Sequence, residues 1–306
     1  VSSTAASTSL SLRGVFPPIP TPFDRAGEVD ERVLASNLAR WNGYDLAGYV
    51  VLGSNGEAVY LSQAEKVRVL QVARAAIPAG KLLIAGTGCE STRQTIELTR
   101  QAAEIGADAA LVVTPHFFTV TPEGLVRHYA AVADASPLPV IVYNVPKFTH
   151  LDLDAATIAR IAAHPNVVGL KDSGGNITKL GDTVRQAGAG FQVLAGSAGF
   201  FFAALALGAV GGVLALANIA PQACIDIYRL FRAGEWARAA ELQRLMIPVN
   251  AAVTARYGVA GLKAAMDMLG YRGGPVRSPL LDLGADDRQA LREILAAGGL
   301  LGEETP

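Results

Sequence analysis

Lys171 is hard to explain as ordinary surface. It closes the apolar run Asn166-Val167-Val168-Gly169-Leu170-Lys171, and a lysine is rarely buried without a partner or a task. Its ammonium could snorkel out of a strand end or pair with the adjacent Asp172. Alternatively its nitrogen could attack a ketone, which requires the neutral amine. With a pKa near 10.4, about 0.04% of free lysine is neutral at pH 7. Burial at an apolar mouth that lowered the pKa to about 7.4 would raise this to about a quarter, the usual route to a Schiff-base lysine. Spacing alone leaves the structural and chemical readings open.

Other residues fit the same chemistry. Tyr143 ends a neighbouring apolar run, where a phenol can move protons between carbinolamine, imine and a substrate hydroxyl. A rim tyrosine bonded to backbone is the plainer alternative. The turn Gly53-Ser54-Asn55-Gly56-Glu57 offers backbone N–H groups between permissive glycines, a nest suited to a carboxylate. Short glycine pairs are common, and Glu57 reads as a structural brace for the turn. Ser173 follows Lys171 closely, and Gly196 and Ser197 end another apolar run. The four histidines, His116, His128, His150 and His164, are scattered and read as ordinary. No metal-ligand spacing, G-x-S-x-G elbow or phosphate-binding Walker loop occurs.

Elements that would bring these residues together follow from periodicity. Eight short runs rich in Val, Ile and Leu, at 15–19, 48–52, 82–85, 109–113, 140–143, 167–171, 191–195 and 213–216, read as buried parallel strands. Amphipathic segments at 31–41, 63–77, 92–105, 122–135, 154–163 and 177–186 lie between them. Their start signals are Asp30, the Ser62/Glu65 capping box, Ser91, and Thr121 followed by Pro122. Eight strand–helix units without a hairpin signal predict an α/β fold, a (β/α)8 TIM barrel. A doubly wound open sheet would be expected to carry a glycine-rich loop after its first strand, where this chain has P-P-I-P-T-P-F at 17–23. We expect a disordered lead-in over residues 1–13, the barrel over 14–233, and a C-terminal helical extension packed on it over 234–306. That extension holds helical segments at 235–254, 262–269 and 287–297.

Composition narrows the classes. The 306 residues carry a formal net charge of -1, which leaves no basic field for nucleic acid and no membrane-surface patch. Two cysteines, Cys89 and Cys224, read as free thiols of a reducing compartment, the cytoplasm or a mitochondrion in a eukaryote. Mean hydropathy is +0.31, and residues 186–225 hold no charged side chain. Gly208, Gly211 and Gly212 break that stretch, so it reads as buried helix, turn and buried strand rather than a membrane span.

Taken in order, P-P-I-P-T-P-F, G-S-N-G-E, Tyr143-Asn144-Val145-Pro146, G-L-K-D-S-G-G at 169–175 and G-S-A-G-F at 196–200 resemble the dihydrodipicolinate synthase / N-acetylneuraminate lyase family of class I aldolases. Within it, G-C-E-S-T at 88–92 and A-L-G-A-V-G-G at 206–212 are similar to the 4-hydroxy-2-oxoglutarate aldolase type. The resemblance implies a Schiff-base lyase with Lys171 as imine lysine and Tyr143 as acid/base. Ser54 and Asn55 would hold the 2-oxo acid carboxylate, with Ser54 and Ser173 nearer its distal part and Gly196 and Ser197 beside it. It implies cleavage of 4-hydroxy-2-oxoglutarate to pyruvate and glyoxylate, with no cofactor because the iminium is the electron sink, in a homotetramer built as a dimer of dimers. Dihydrodipicolinate synthesis, another 2-oxo acid aldolase or dehydratase, and a non-catalytic 2-oxo acid binder are the alternatives. Two positions depart from the family pattern. Phe148, beside Lys147, stands where synthases carry an arginine, and Phe117 stands where the family supplies a tyrosine across a subunit interface.

Overall fold

The apolar runs become the strands of one parallel sheet. In the computed structural model, which describes residues 10–302, these are β1 (Gly14–Phe16), β2 (Gly48–Val51), β3 (Leu82–Gly86), β4 (Ala109–Val113), β5 (Val140–Asn144), β6 (Val167–Asp172), β7 (Gln192–Ala195) and β8 (Gly211–Val213). Their order is β1-β8-β7-β6-β5-β4-β3-β2. A parallel bridge from Pro18 to Val50 and an N–H of Ala47 donated to the Val15 carbonyl at 3.0 Å join β1 to β2. The ring is thereby closed as a (β/α)8 TIM barrel. Alternation along the strands sends Phe16, Val50, Ile84, Leu111, Ile141 and Leu194 into one buried cluster. Val15, Tyr49, Val51, Val112 and Val142 belong to another, shared with the helices. Both faces are dry, which is why the runs are continuously apolar.

The helices begin where their caps lie. They are α1 (Glu31–Trp41), α2 (Gln63–Ala76), α3 (Thr92–Ile105), α4 (Pro122–Ala135), a single turn α5 (Pro146–Thr149), α6 (Ala155–Ala162), α7 (Ile177–Gln186), α8 (Phe201–Ala206) and α9 (Pro221–Arg232). Asp30 accepts the Val33 N–H, Ser62 and Glu65 form the reciprocal box, and Thr121 accepts the Gly124 N–H ahead of Pro122. Beyond α9 come α10 (Trp236–Ala251), a π-turn (Ala252–Arg256), α11 (Gly258–Met268) and α12 (Ala285–Ala297). Gln243 on α10 donates to the Ala198 carbonyl at 2.5 Å and accepts the Phe202 N–H at 3.1 Å, so this extension grips the loop after β7.

Two expectations change. The eighth strand is Gly211–Val213, while Ala215–Asn218 is a 3-10 turn. A Cβ on Gly211 would lie 2.3 Å from the Gly14 carbonyl oxygen, so the glycines read as a turn are what let β8 approach β1. Of the expected lead-in, residues 1–9 lie outside the described residues. Leu10 and Leu12 are not loose: Gln192 accepts the Leu12 N–H and donates to the Leu10 carbonyl, each at 2.8 Å, and Leu12 is buried within the barrel's interior cluster. Among the described residues, no helix is long and apolar enough to cross a membrane.

Candidate active site

Parallel pairing sets Lys171 directly beside Tyr143 at the C-terminal ends of β6 and β5. Lys171 is only 2% exposed, so it does not snorkel. Its Nζ lies 3.9 Å from the centroid of the Tyr143 ring, and it has no ion pair or hydrogen bond among the described residues. Asp172 is not its partner. Successive strand residues face opposite ways, and Asp172 Oδ1 accepts the Gly174 N–H at 2.6 Å while Oδ2 lies 3.1 Å from Lys179 Nζ. Lys179 also bonds Asp152, which accepts from Asn144 Nδ2 at 2.8 Å. The charges outside the barrel thus hold the two strand ends in register and leave the Lys171 amine to the interior.

The turn after β2 supplies the facing wall. Ser54 Oγ and Tyr143 Oη are 3.2 Å apart. The Ser54–Gly56 3-10 turn bonds the Gly56 N–H to the Gly53 carbonyl at 3.0 Å and the Glu57 N–H to the Ser54 carbonyl at 3.1 Å. Among the described residues, the N–H groups of Ser54 and Asn55, at the open start of the turn, reach no backbone carbonyl. The glycines serve differently from the expectation. The left-handed positions are Leu52 and Glu57, with φ of 61 and 53, not Gly53 or Gly56. Gly56 is instead a close approach, since a Cβ there would meet the Ile19 carbonyl oxygen at 3.2 Å. Thr21 Oγ1 donates to the Gly56 carbonyl at 2.7 Å, tying the turn to the loop after β1.

Ser173, Gly196 and Ser197 form the third side. Ser173 Oγ donates to the Gly196 carbonyl at 3.4 Å, and a Cβ on Gly196 would lie 2.0 Å from that Oγ. Ser197 Oγ accepts from Gly199 N–H at 3.2 Å and Asn250 Nδ2 at 3.1 Å. Ser54, Asn55, Tyr143, Lys171, Ser173, Gly196 and Ser197 all border one cavity of about 840 Å³. Among the described residues, Glu57 is the only acidic one on its wall, against Lys66, Lys147 and Arg256, a balance that favours an anionic ligand.

Sequence reasoning missed the wall contributed by the π-turn and the start of α11, including Arg256. The loop after β5 is tied to it by Lys147 Nζ, which donates to the Thr254 carbonyl at 2.9 Å. A proline within α10, Pro248, was the available signal, because lost helical hydrogen bonds favour local irregularity. His116 borders the cavity, but its Nδ1 is 2.9 Å from Glu90 Oε1. Glu90 Oε2 also accepts the N–H groups of His116 and Phe117 at 3.0 and 2.9 Å. The Phe117 ring is 77% exposed. His128 and His164 bond Thr92 and Asp134 away from the cavity. No metal-binding cluster occurs among the described residues.

A model of the dihydrodipicolinate synthetase family matches residues 11–298. The chain belongs to this family. It is an enzyme of the class I aldolase and lyase kind, which sets aside the non-catalytic alternative. Its family relatives include the 4-hydroxy-tetrahydrodipicolinate synthase of Acidiphilium cryptum, 37% identical over 92% of this chain and 96% of that protein. That of Methanothrix thermoacetophila is 36% identical over 93% and 96%. An uncharacterized DapA-like lyase of Halobacterium salinarum is 37% identical over 95% and 96%. Among solved family structures, the chloride-inhibited dihydrodipicolinate synthase of Acinetobacter baumannii, complexed with pyruvate, superposes with a TM-score of 0.92 at 33% identity, covering 95% of this chain and all of that one. These relatives carry the synthase or lyase name. The comparison therefore supports the dihydrodipicolinate synthetase family and not the finer likeness to 4-hydroxy-2-oxoglutarate aldolase.

Proposed function

We propose that Lys171 forms an imine with the ketone carbon of a pyruvate-type 2-oxo acid. The observation that carries this reading is a buried, unpaired Nζ against the Tyr143 ring, whose hydroxyl reaches Ser54 in the same cavity. The amine adds to the ketone, the carbinolamine loses water, and Tyr143 Oη carries the proton to the departing oxygen. Ser54 and Asn55 hold the carboxylate through the open amides of their turn and the Ser54 hydroxyl. In the cleavage direction Tyr143 Oη takes the proton of the substrate hydroxyl, whose carbon leaves as the aldehyde while the iminium accepts the electron pair of the breaking C–C bond. The resulting enamine is protonated at carbon, and water hydrolyses the imine to pyruvate and the free Lys171 amine. Ser173 Oγ, Gly196 and Ser197 shape the distal side.

Two substrates fit this chemistry. Phe148, half exposed on the wall in place of arginine, favours cleavage of 4-hydroxy-2-oxoglutarate to pyruvate and glyoxylate, with Arg256 and Lys147 as the cations available to a distal carboxylate. The names of the relatives favour the second reading, condensation of pyruvate with aspartate semialdehyde. Borohydride added with pyruvate is expected to fix one adduct, located on Lys171 by mass spectrometry; an unmodified Lys171 ends the imine reading. Turnover of aspartate semialdehyde without release of pyruvate from 4-hydroxy-2-oxoglutarate would settle the substrate for the second reading. For the assembly we propose a homotetramer, in which a neighbouring subunit covers the exposed Phe117 and Phe118 rings. A light-scattering mass of 31.8 kDa would refute it.

A further inference from the structure

Glu57 ends the Ser54–Gly56 turn in the left-handed region, at φ 53, where residues with a side chain are uncommon. Something must hold it there. Its carboxylate and the ammonium of Lys263 are each 1% exposed and lie 2.5 Å apart. The other carboxylate oxygen accepts the Arg277 N–H at 2.8 Å. Lys263 also donates to the Pro275 carbonyl at 2.8 Å and stands 4.4 Å from the centre of the Phe23 ring. The Arg277 guanidinium lies 4.3 Å from the same ring and donates to both Glu65 oxygens, at 3.0 and 2.6 Å. Four segments remote in sequence converge here: the loop after β1, the turn after β2, the start of α2, and the C-terminal extension.

A buried ion pair is a poor way to gain stability, because desolvation offsets most of the attraction and an apolar pair of similar volume often does as well. What it supplies is direction. Each bond to the Glu57 carboxylate constrains the backbone from which the Ser54 hydroxyl and the Ser54 and Asn55 amides project. We propose that the Glu57–Lys263 pair is a positioning device for the substrate carboxylate, by which the C-terminal extension sets the distance between the Ser54 turn and Tyr143. Lys263 lies outside the cavity wall and acts only through Glu57. This inference rests on the reading of Ser54 and Asn55 as the carboxylate site.

The test compares the wild type with Lys263→Met and with the double variant Glu57→Gln/Lys263→Met. The single variant leaves an unpaired buried carboxylate and is expected to melt early. The double variant removes both charges of this pair and is expected to melt near the wild type. It should still form the borohydride-trapped pyruvate adduct on Lys171. Its KM for pyruvate-type substrate should rise about tenfold or more while kcat stays within about threefold. Unchanged KM, a loss confined to kcat, or a double variant that does not fold would each overturn the inference, making the pair a stabiliser only. Absence of the adduct in the wild-type enzyme would instead remove the imine reading beneath it.

Discussion

Lys171 and Tyr143 show how a buried amine and a phenol divide one space. The ring gives the amine a polarisable face without the counter-charge that would pin it, and the hydroxyl at the ring's far end is turned to Ser54. Tyr143→Phe keeps the ring and removes the proposed proton carrier. We expect kcat to fall about a hundredfold or more, with the adduct still formed on Lys171 but more slowly; stopped-flow turnover and timed borohydride quenching separate the two. These residues were legible in sequence because a lysine at the end of an apolar run is conspicuous. Their partners were less so. The adjacent Asp172 suggested an ion pair with Lys171, yet strand alternation sends Asp172 to Lys179. Arg256 gave no sign at all, since nothing local in R-Y-G states that it borders a cavity built by strands far away in the chain.

At the scale of elements, helix starts were read closely because caps are local chemistry: an Asp, Ser or Thr oxygen meets an N–H three residues on. Glycines were read less well because close approach is not local. Gly211 and Gly212 looked like a turn and prove to be strand, pressed against β1. Gly211→Ala must push a methyl into the Gly14 carbonyl, and we expect a loss of about 2 kcal/mol or more in urea denaturation. A variant as stable as the wild type would mean that this seam yields easily. The same blindness affected the 53–57 turn, where the unusual backbone falls on Leu52 and Glu57, held by residues more than 200 positions away in sequence.

For the whole molecule, protonation should act through one helix-layer histidine as the solution is acidified. Burial holds His128 down at about 4 from its ordinary 6.5, with Nδ1 bonded to Thr92 Oγ1 at 2.9 Å and Nε2 buried without a partner. The unfolded chain takes up this proton near 6.5, so between these values it binds more protons than the native state. Stability is therefore complete above that range and falls as pH drops through it. We expect about 2 kcal/mol to be lost between pH 7 and pH 5, and His128→Gln to flatten the profile of urea midpoints against pH. Glu65, drawn down to about 2 by its hydrogen bonds from Arg277, contributes at more acid pH and leaves this interval clear.

The bond from Lys147 to Thr254 joins a barrel loop to the last third of the polypeptide across the cavity wall. The proposed covalent step belongs to strands five and six, whereas part of the outer enclosure is made by the π-turn that follows α10. Nature could therefore retune which second reactant is admitted by redrafting that short tail segment, leaving the bond-making pair untouched. Chimeras exchanging only residues 252–260 between relatives would inherit one parent's appetite and the other's covalent machinery.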